Sequence, residues 1–242
     1  MEFSFTPEQK MFKEQVIRFA RKEIAPRSPD HDLRGEFDFQ SFRKLGEFGI
    51  LGLHFPEALG GGGADVVTMV LAGEALGEAG VDGGLTLAYG AHTFLCADTI
   101  FCHGTEAQRD RFIPKLASGE WIGCMGMTEP GAGSDVASIT TRAEKRGDRY
   151  VLNGTKMFIT NGPIADVAVV YAKTEKDQKH SGMSAFIVEK GTPGFSAGRS
   201  LIKMGVRSSH TSELIFEDCE IPAENLIGQE GAGFFMAMQT VE

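Results

Sequence analysis

The sequence predicts an α+β protein, in which an N-terminal all-α helical bundle is followed by a small β-barrel or β-sandwich. Apolar residues recur at helical spacing up to about residue 120, and strand-like runs separated by turn residues follow from Trp121. A new helical pattern then begins near Gly231. We therefore expect a helical domain over residues 1–120, a β domain over 121–230 and the first turns of a further helical domain over 231–242.

The composition is that of a globular protein with an apolar core. Of the 242 residues, 42% are hydrophobic and 24% are charged. With 33 acidic and 24 basic side chains the formal net charge is −9, which does not favour nucleic acid or anionic lipid as a partner. We find neither a secretory signal nor an apolar run near the ~20 residues that a membrane span needs.

Cysteine and histidine usage favours a reducing compartment and gives no support for a metal site. The four cysteines lack CxxC spacing, and the six histidines lack an HExxH pair. A chain of this size with so few cysteines does not indicate a disulfide framework. We expect a bacterial cytoplasm, with a mitochondrial matrix as the alternative.

The N-terminal half contains signals for about five helices. Thr6 and Gln9 have capping-box spacing with Pro7 between them, and Thr105 repeats the spacing with Gln108. Helical periodicity also predicts a helix over 38–49. Two further segments are apolar nearly all round, which predicts helices buried inside a bundle, at 64–79 and 83–103.

The β half is marked by turn residues. Asn153-Gly154 between β-rich arms predicts a type I′ hairpin. The RGD at 146–148 fits a tight turn better than an adhesion motif, since it lies between two predicted strands. Near the end of the sequence, the spacing of Phe234, Ala237, Met238 and Val241 predicts an amphipathic helix that is too short to be stable without packing.

The stretch "MTEPGAGSD" at residues 127–135, which we call the hydroxyl loop, fits no standard motif. A dinucleotide fingerprint needs a glycine where Val136 stands, a P-loop needs a Gly-Lys-Ser/Thr ending, and a nucleophile elbow needs G-x-S-x-G around Ser134. Its hydroxyls and backbone N–H groups, kept accessible by glycines, suit hydrogen bonding to a polar heterocycle or a phosphate-bearing tail. A plain connection between strands is the alternative.

The order of several motifs resembles the acyl-CoA dehydrogenase family. These motifs are "PEALGG", "TEAQRDRFIPKLASGEWIGCMGMTEPGAGSD", "KMFITNG" and "IKMGVRSSHTSELIFEDCEIP", and the resemblance runs from Phe3 to the last residue. The stretches "GPIADVAVVYAKTE" and "ELIFEDCEIPAENLIG" look closest to its isovaleryl-CoA dehydrogenase branch. The family fold has an N-terminal helical domain, a middle β-barrel and a C-terminal four-helix bundle.

The resemblance implies FAD-dependent α,β-dehydrogenation of an acyl-CoA thioester to the trans-2-enoyl-CoA. It also implies donors to flavin N1 and O2 from the Met127 backbone and the Thr128 hydroxyl, with Phe158 against the ring and Thr160 near N5 and O4. Ser134 would border both the FAD diphosphate and the acyl-CoA. The full set implied for FAD is Met125, Met127, Thr128, Gly133, Ser134, Phe158, Ile159 and Thr160.

Several residues keep alternative interpretations. Phe158 could instead face inward on its strand, because side chains alternate along a strand. Glu129 is expected to be a structural acceptor at the turn, and Arg207 a buried ion-pair partner, with a surface role as its alternative. The small residues of "LAYGAH" (87–92) fit either the acyl end of a pocket or helix packing.

The family's catalytic base is a Glu of the C-terminal bundle, which the resemblance places beyond residue 242, so we assign no catalytic residue and exclude Glu242. Two hypotheses follow: a truncated form or one half of a split enzyme, and a non-catalytic flavin- or acyl-CoA-binding or scaffold protein with the same fold. The partners implied are an acyl-CoA, an electron-transfer flavoprotein as acceptor, and either further copies of the chain or a second chain that carries the bundle.

Overall fold

The computed structural model describes residues 4–175 and 178–241, with the side chain of Val241 excepted. Glu242, excluded above as the base, lies outside these residues. Helices fill the first half and strands the second, followed by one more helix, which confirms the α+β architecture expected from the sequence.

The structure has helices in the five predicted regions of the first half, and it adds a short one at Ser28–Arg34 that the sequence did not predict. Both capping boxes are confirmed: Gln9 N–H donates to Thr6 Oγ1 at 3.2 Å while Thr6 N–H donates to Gln9 Oε1 at 3.1 Å, and Thr105 with Gln108 repeats the arrangement. The bounds are α1 Pro7–Glu23, α2 Ser28–Arg34, α3 Phe39–Glu47, α4 Val66–Glu78, α5 Gly83–Gly90, α6 Asp98–His103 and α7 Glu106–Ala117. Residues Ala91–Ala97 join α5 to α6 through π-helical turns.

The expectation that α4 is buried all round is wrong. Val66, Val67 and Val70 are exposed, with Val66 at 72%, while Met69 and Leu71 are buried. The helix therefore buries one face and exposes valines on the other. An unbroken apolar sequence does not indicate which face is buried.

The strands form one eight-stranded sheet. Their bounds are β1 Gly123–Gly126, β2 Arg142–Arg146, β3 Arg149–Thr160, β4 Val167–Lys173, β5 Met183–Glu189, β6 Phe195–Ala197, β7 Thr211–Pro222 and β8 Leu226–Ile227. The strand order is β6-β7-β3-β2-β4-β5-β8, and β1 pairs in parallel with β4. The sheet places β1 next to β4, an interior strand, so the residues that follow β1 are well supported.

Strand β4 is buried on both faces, which explains its unbroken apolar sequence. Val167, Val169 and Tyr171 pack in a core that also holds residues of the helices, such as Ile100. The alternate residues, among them Val170, pack in a second core inside the sheet with Phe186, Leu214 and Phe216. The helical and β parts therefore share a core through one strand.

The hairpin expected at Asn153-Gly154 is wrong, because both residues lie inside β3. Gly154 has φ +148° and stands at a β-bulge against β7, and a Cβ there would come within 2.7 Å of the Thr141 Cα. The glycine thus serves a close backbone approach rather than a turn. The tight turn expected at the RGD is confirmed, since Arg146 and Arg149 are paired and Gly147 has φ +63°.

Arg207 is exposed, so the expectation of a buried ion-pair partner is wrong. Its Nε donates to the Asp32 carbonyl at 3.2 Å and its Nη2 to the Leu33 carbonyl at 3.2 Å. Basic side chains satisfy the last carbonyls of a helix in this way. Arg207 therefore ties the β6–β7 connection to the C-terminal end of α2.

The predicted C-terminal helix is confirmed as α8, Gly233–Val241. It packs against α6 and β5, and Met236 and Ala237 are its buried residues in the core shared with the helical part. This packing supplies the support that such a short helix requires.

Candidate functional site

The first residue of β1 is fixed from two sides. Gly123 N–H donates to His92 Nδ1 at 2.9 Å, and Asn161 Nδ2 donates to the Gly123 carbonyl at 3.1 Å. His92 Nε2 in turn donates to the Leu116 carbonyl at 3.0 Å. Burial lowers the pKa of His92 to about 4, so the ring is neutral with its proton on Nε2. The start of β1 is thereby held against the helical part.

The hydroxyl loop that follows β1 contains a tight turn. Glu129 N–H donates to the Ala132 carbonyl at 2.9 Å, and Ala132 N–H donates to the Glu129 carbonyl at 3.1 Å, with Pro130 and Gly131 at the tip. These reciprocal bonds give the loop a defined conformation.

A buried ion pair holds this turn to β3. Lys156 Nζ lies 2.7 Å from Glu129 Oε1 and also donates to the Met127 carbonyl at 3.1 Å. The side chains of Lys156 and Glu129 are only 0% and 3% exposed. The carboxylate accepts three more hydrogen bonds, from the Thr140 N–H at 2.6 Å, the Thr140 hydroxyl at 2.7 Å and the Thr141 N–H at 2.9 Å. Glu129 is thus a structural acceptor at the turn, as expected.

The pair is ionised at neutral pH. Burial opposes the charge on Glu129, but the attraction and hydrogen bond of Lys156, with those of Thr141 and Thr140, lower the pKa of the carboxyl to about 2. Burial lowers the pKa of Lys156 to about 8, against the opposing attraction of Glu129. A carboxylate with such a low pKa is a poor general base near neutral pH.

Hydroxyls at three positions are available around the turn. Thr128 is joined to β3 through its carbonyl, which accepts from Met157 N–H at 2.8 Å. Within residues 4–175 and 178–241, the side-chain hydroxyls of Thr128, Ser134 and Thr160 have no hydrogen-bond partner, and none of these oxygens is among the buried ones left without a partner. They are therefore donors that an external ligand can reach.

Phe158 projects from the sheet. The pairing of β3 with β7 shifts register between Lys156 and Ile159, and Phe158 adopts φ +60° with 62% of its surface exposed. A left-handed backbone is costly for an aromatic residue and points to a functional constraint. The inward-facing interpretation of Phe158 is thereby wrong, because the bulge breaks the alternation on which it depended.

Comparison with known families identifies the chain. The N-terminal domain model of acyl-CoA dehydrogenases matches residues 6–120, and the middle domain model of the same enzymes matches residues 124–219. The chain belongs to the acyl-CoA dehydrogenase family.

Two curated relatives show how closely the chain follows this family. A short-chain specific acyl-CoA dehydrogenase of Clostridium acetobutylicum is 43% identical over 242 residues, covering 100% of this chain and 63% of the relative. A mitochondrial isovaleryl-CoA dehydrogenase of Pongo abelii is 44% identical over 239 residues, covering 97% and 56%. The chain therefore spans about three fifths of the length of these relatives, and the nearly equal identities do not separate the two branches.

Two solved structures that are similar to this chain show the same fold. A chain of the structure described as "Electron transferring flavoprotein of Acidaminococcus fermentans" is 46% identical with a TM-score of 0.95, covering 100% of this chain and 63% of that one. The structure described as "PigA with FAD and proline" is 32% identical with a TM-score of 0.96, covering 99% and 63%.

The remaining residues that the acyl-CoA dehydrogenase resemblance implies for FAD fall into a buried group and an exposed group. The side chains of Met127 and Ile159 are buried in the cores and Met125 packs against one of them, so that Met127 and Ile159 can offer a ligand mainly their backbone. Gly133 and Ser134 are exposed, and a Cβ at Gly133 would meet nothing within 4 Å. That openness leaves room for a ligand beside Ser134.

A cavity follows the hydroxyl loop along the chain. It has a volume of about 590 Å³. Its lining combines two cations and one carboxylate with hydroxyls and apolar groups: Ile139, Thr140, Arg142, Ala143, Glu144, Lys173 and Thr174. Such a mixed lining suits a ligand that has both apolar and polar parts.

The stretch "LAYGAH" (87–92), for which the sequence allowed either a pocket or helix packing, is mostly buried between helices. Ala88, Tyr89 and His92 are buried, and Leu87 is exposed. Burial raises the pKa of Tyr89 well above its usual range. Packing inside the helical part therefore accounts for these residues.

Sequence reasoning missed Lys156, which fixes the turn. A lysine inside an apolar strand such as "TKMFI" is itself a signal, since buried lysines are almost always paired. No described group of His, Cys, Asp and Glu side chains could hold a metal ion, and no described helix combines the length and apolarity needed to cross a membrane.

The ion pair predicts a pH-dependent stability difference. Glu129→Gln should lower the free energy of unfolding by about 3–5 kcal/mol at pH 7, because it leaves Lys156 buried without its counter-charge. Since the pKa of Glu129 is lowered from 4.5 to about 2 by folding, its contribution is present above pH 4.5 and is lost as pH falls toward 2. The difference between variant and parent should therefore shrink over that range in urea unfolding.

The matched control is Glu144→Gln. Glu144 is exposed on β2 and pairs with the equally exposed Arg146, so the change should stay within about 0.5 kcal/mol. A Glu129→Gln effect no larger than that of the control, or one that does not change with pH, would show that the pair does not stabilise the turn.

Proposed function

We propose that this chain supplies the FAD- and acyl-CoA-binding part of a flavoprotein that dehydrogenates an acyl-CoA thioester to the trans-2-enoyl-CoA. The single observation that carries the proposal is the exposed Phe158 on β3, between Met157, which is hydrogen-bonded to Thr128, and Thr160. Among the described residues the hydroxyls of Thr128 and Thr160 have no hydrogen-bond partner. A flat ring with a polar edge needs one apolar face and a few donors in the plane, and these residues offer both.

The residues present fit the flavin. When bound, FAD supplies the redox chemistry by accepting a hydride from the substrate. Phe158 would lie against the ring system, while Thr128 and Thr160 would donate to its polar edge. Donors placed where negative charge develops stabilise the reduced form, so Thr128 is the group we expect to favour reduction most. The family member solved as "PigA with FAD and proline" supports FAD as the cofactor.

The phosphate-bearing parts would lie along the exposed side of the hydroxyl loop. Ser134 and the accessible backbone around Gly133 would donate to a diphosphate. Arg142 in the neighbouring cavity provides a positive charge in a chain that is acidic overall, beside the carboxylate of Glu144. Anionic groups bind through such local donors even when the net charge is unfavourable.

Both carboxylates of the hydroxyl loop already have hydrogen-bond partners. Glu129 is buried in its ion pair, and Asp135 Oδ2 accepts from the Ser138 hydroxyl. We therefore propose that the base comes from a segment outside the described residues, in the same polypeptide or in a second chain. The residues of this chain would bind and orient the two ligands for that base.

The similar proteins suggest the length of the acyl chain and the electron acceptor. Short-chain and isovaleryl relatives match about equally, so we propose a short acyl chain, either straight or branched. A match to a structure of an electron-transferring flavoprotein supports such a protein as the electron acceptor. An oligomer is proposed from the family resemblance, and a location in a bacterial cytoplasm or a mitochondrial matrix follows the two kinds of relative.

A non-catalytic flavin- or acyl-CoA-binding protein is the second candidate. The observation that favours it is the engagement of Glu129, which leaves the loop without a base. The two candidates share the ligand site and differ only in whether a base reaches the bound thioester.

The flavin site predicts a selective loss of FAD affinity. Thr128→Val should weaken FAD binding by about 5–10-fold, because one hydrogen bond of about 1 kcal/mol is lost while the side chain keeps its shape. Ser196→Ala on β6 removes an exposed hydroxyl away from the loop and should leave binding unchanged. Equilibrium titration that follows the quenching of flavin fluorescence measures both. Equal affinities for the two variants would contradict the proposed site.

The engagement of Glu129 in its ion pair predicts binding without turnover. The chain of residues 1–242, loaded with FAD and mixed with butyryl-CoA, should perturb the flavin absorption band but not bleach it, because Glu129 cannot take the α-proton. The same mixture with a second protein that carries the family's C-terminal bundle should bleach. Bleaching by this chain alone would contradict the assignment of the base, and no bleaching in any mixture would favour the non-catalytic candidate.

A further inference from the structure

We infer that Lys156 is a positioning residue for the Thr128 donors. By pulling the Met127 carbonyl inward it turns the Thr128 N–H outward, toward the proposed flavin, and so raises the reduction potential of the bound flavin. The effect on the flavin rests on the proposed function, whereas the effect on the peptide does not.

Peptide geometry gives the first step. In a trans peptide the C=O of one residue and the N–H of the next point in opposite directions. Lys156 Nζ holds the Met127 carbonyl at 3.1 Å from inside the protein, and no described peptide bond is cis. The Thr128 N–H therefore faces away from the interior, and within the described ranges it has no hydrogen-bond partner.

The next peptide is held as well. The Thr128 carbonyl accepts from Met157 N–H at 2.8 Å, and the Glu129 N–H on the other side of that peptide donates to Ala132. Both peptides that flank Thr128 are thus tied by consecutive residues of β3. With both planes fixed, neither the φ nor the ψ of Thr128 is free to change.

Lys156 acts through this peptide and not by contact. Its side chain is 0% exposed, so its ammonium cannot reach a ligand on the surface. A cation that polarises a carbonyl strengthens the N–H of the same peptide as a donor, because linked hydrogen bonds reinforce each other. The influence on a ligand would therefore pass through Thr128.

The surroundings are shaped to keep the ammonium in place. Glu129 balances its charge, which a buried lysine needs. Gly126 gives room for its stem, since a Cβ there would lie 3.2 Å from Lys156 Cγ. Lys156 is thus held at one spot directly behind the Met127–Thr128 peptide.

The test compares two pairs of substitutions. Lys156→Met with Glu129→Gln removes both charges, so neither is left unpaired, and takes away the donor to Met127. Arg27→Met with Asp38→Asn is the matched control, since it removes an ion pair of 2.8 Å with a buried carboxylate in the helical part. Lys156→Gln with Glu129→Gln replaces the first pair if that variant does not fold.

The first readout is the ¹⁵N chemical shift of Thr128 in the chain without flavin. It should move in the Lys156 variant and stay at the parent value in the control, because it reports the hydrogen bond to the preceding carbonyl. An unmoved shift in both variants would overturn the inference for the peptide.

The second readout is the midpoint potential of bound FAD. The preference for reduced over oxidised flavin should fall by about tenfold, or about 30 mV for two electrons, in the Lys156 variant only. Equal potentials in the variant, the control and the parent would assign Lys156 a structural role alone. If the parent chain binds no FAD, the proposed function is wrong, and the Thr128 shift still decides the role of Lys156.

Discussion

The ion pair between Lys156 and Glu129 is the interaction on which the candidate site depends. It joins two segments that are 27 residues apart in sequence, the turn after β1 and the middle of β3. Two charges buried without partners would cost several kcal/mol each, so the arrangement is stable only because every bond around the carboxylate is made. The same contact that holds the turn also fixes the peptide that presents Thr128.

The rest of the fold supports this pair from both sides. His92 and Asn161 fix the start of β1 against the helices, and β4 contributes one face to each core. Strand β1 therefore has little freedom before the hydroxyl loop begins. Rigid strands that present a short loop are a common way to hold ligand donors in place, since the loop then costs little ordering when a ligand binds.

The sequence predicted those features that depend on local signals. Both capping boxes, the turn at residues 146–148 and helix α8 follow from neighbouring residues, and each was found. The order of the motifs predicted the family, and the family resemblance predicted that residues 127–135 bind a ligand. That the eight implied residues bind FAD is still a prediction, and the accessible hydroxyls of Thr128, Ser134 and Thr160 agree with it.

The features that depend on tertiary contacts could not be predicted. Asn153-Gly154 has the composition of a hairpin turn, but the glycine is needed because Thr141 packs too closely against it to leave room for a side chain. The exposed valines of α4 follow from which neighbour is present on each side of the helix, which periodicity does not report. Lys156 was missed for the same reason, because nothing local shows that its partner is Glu129.

The most direct test of the account is to map FAD contacts on the ¹⁵N-labelled chain. Titration with FAD should shift the amide signals of Thr128, Gly133, Ser134 and Thr160 together, with a common dissociation constant. Signals in the polar cavity lined by Arg27, Asp30 and His31 should not move. Shifts confined to that cavity, or no shift at the hydroxyl loop at saturating FAD, would contradict the account.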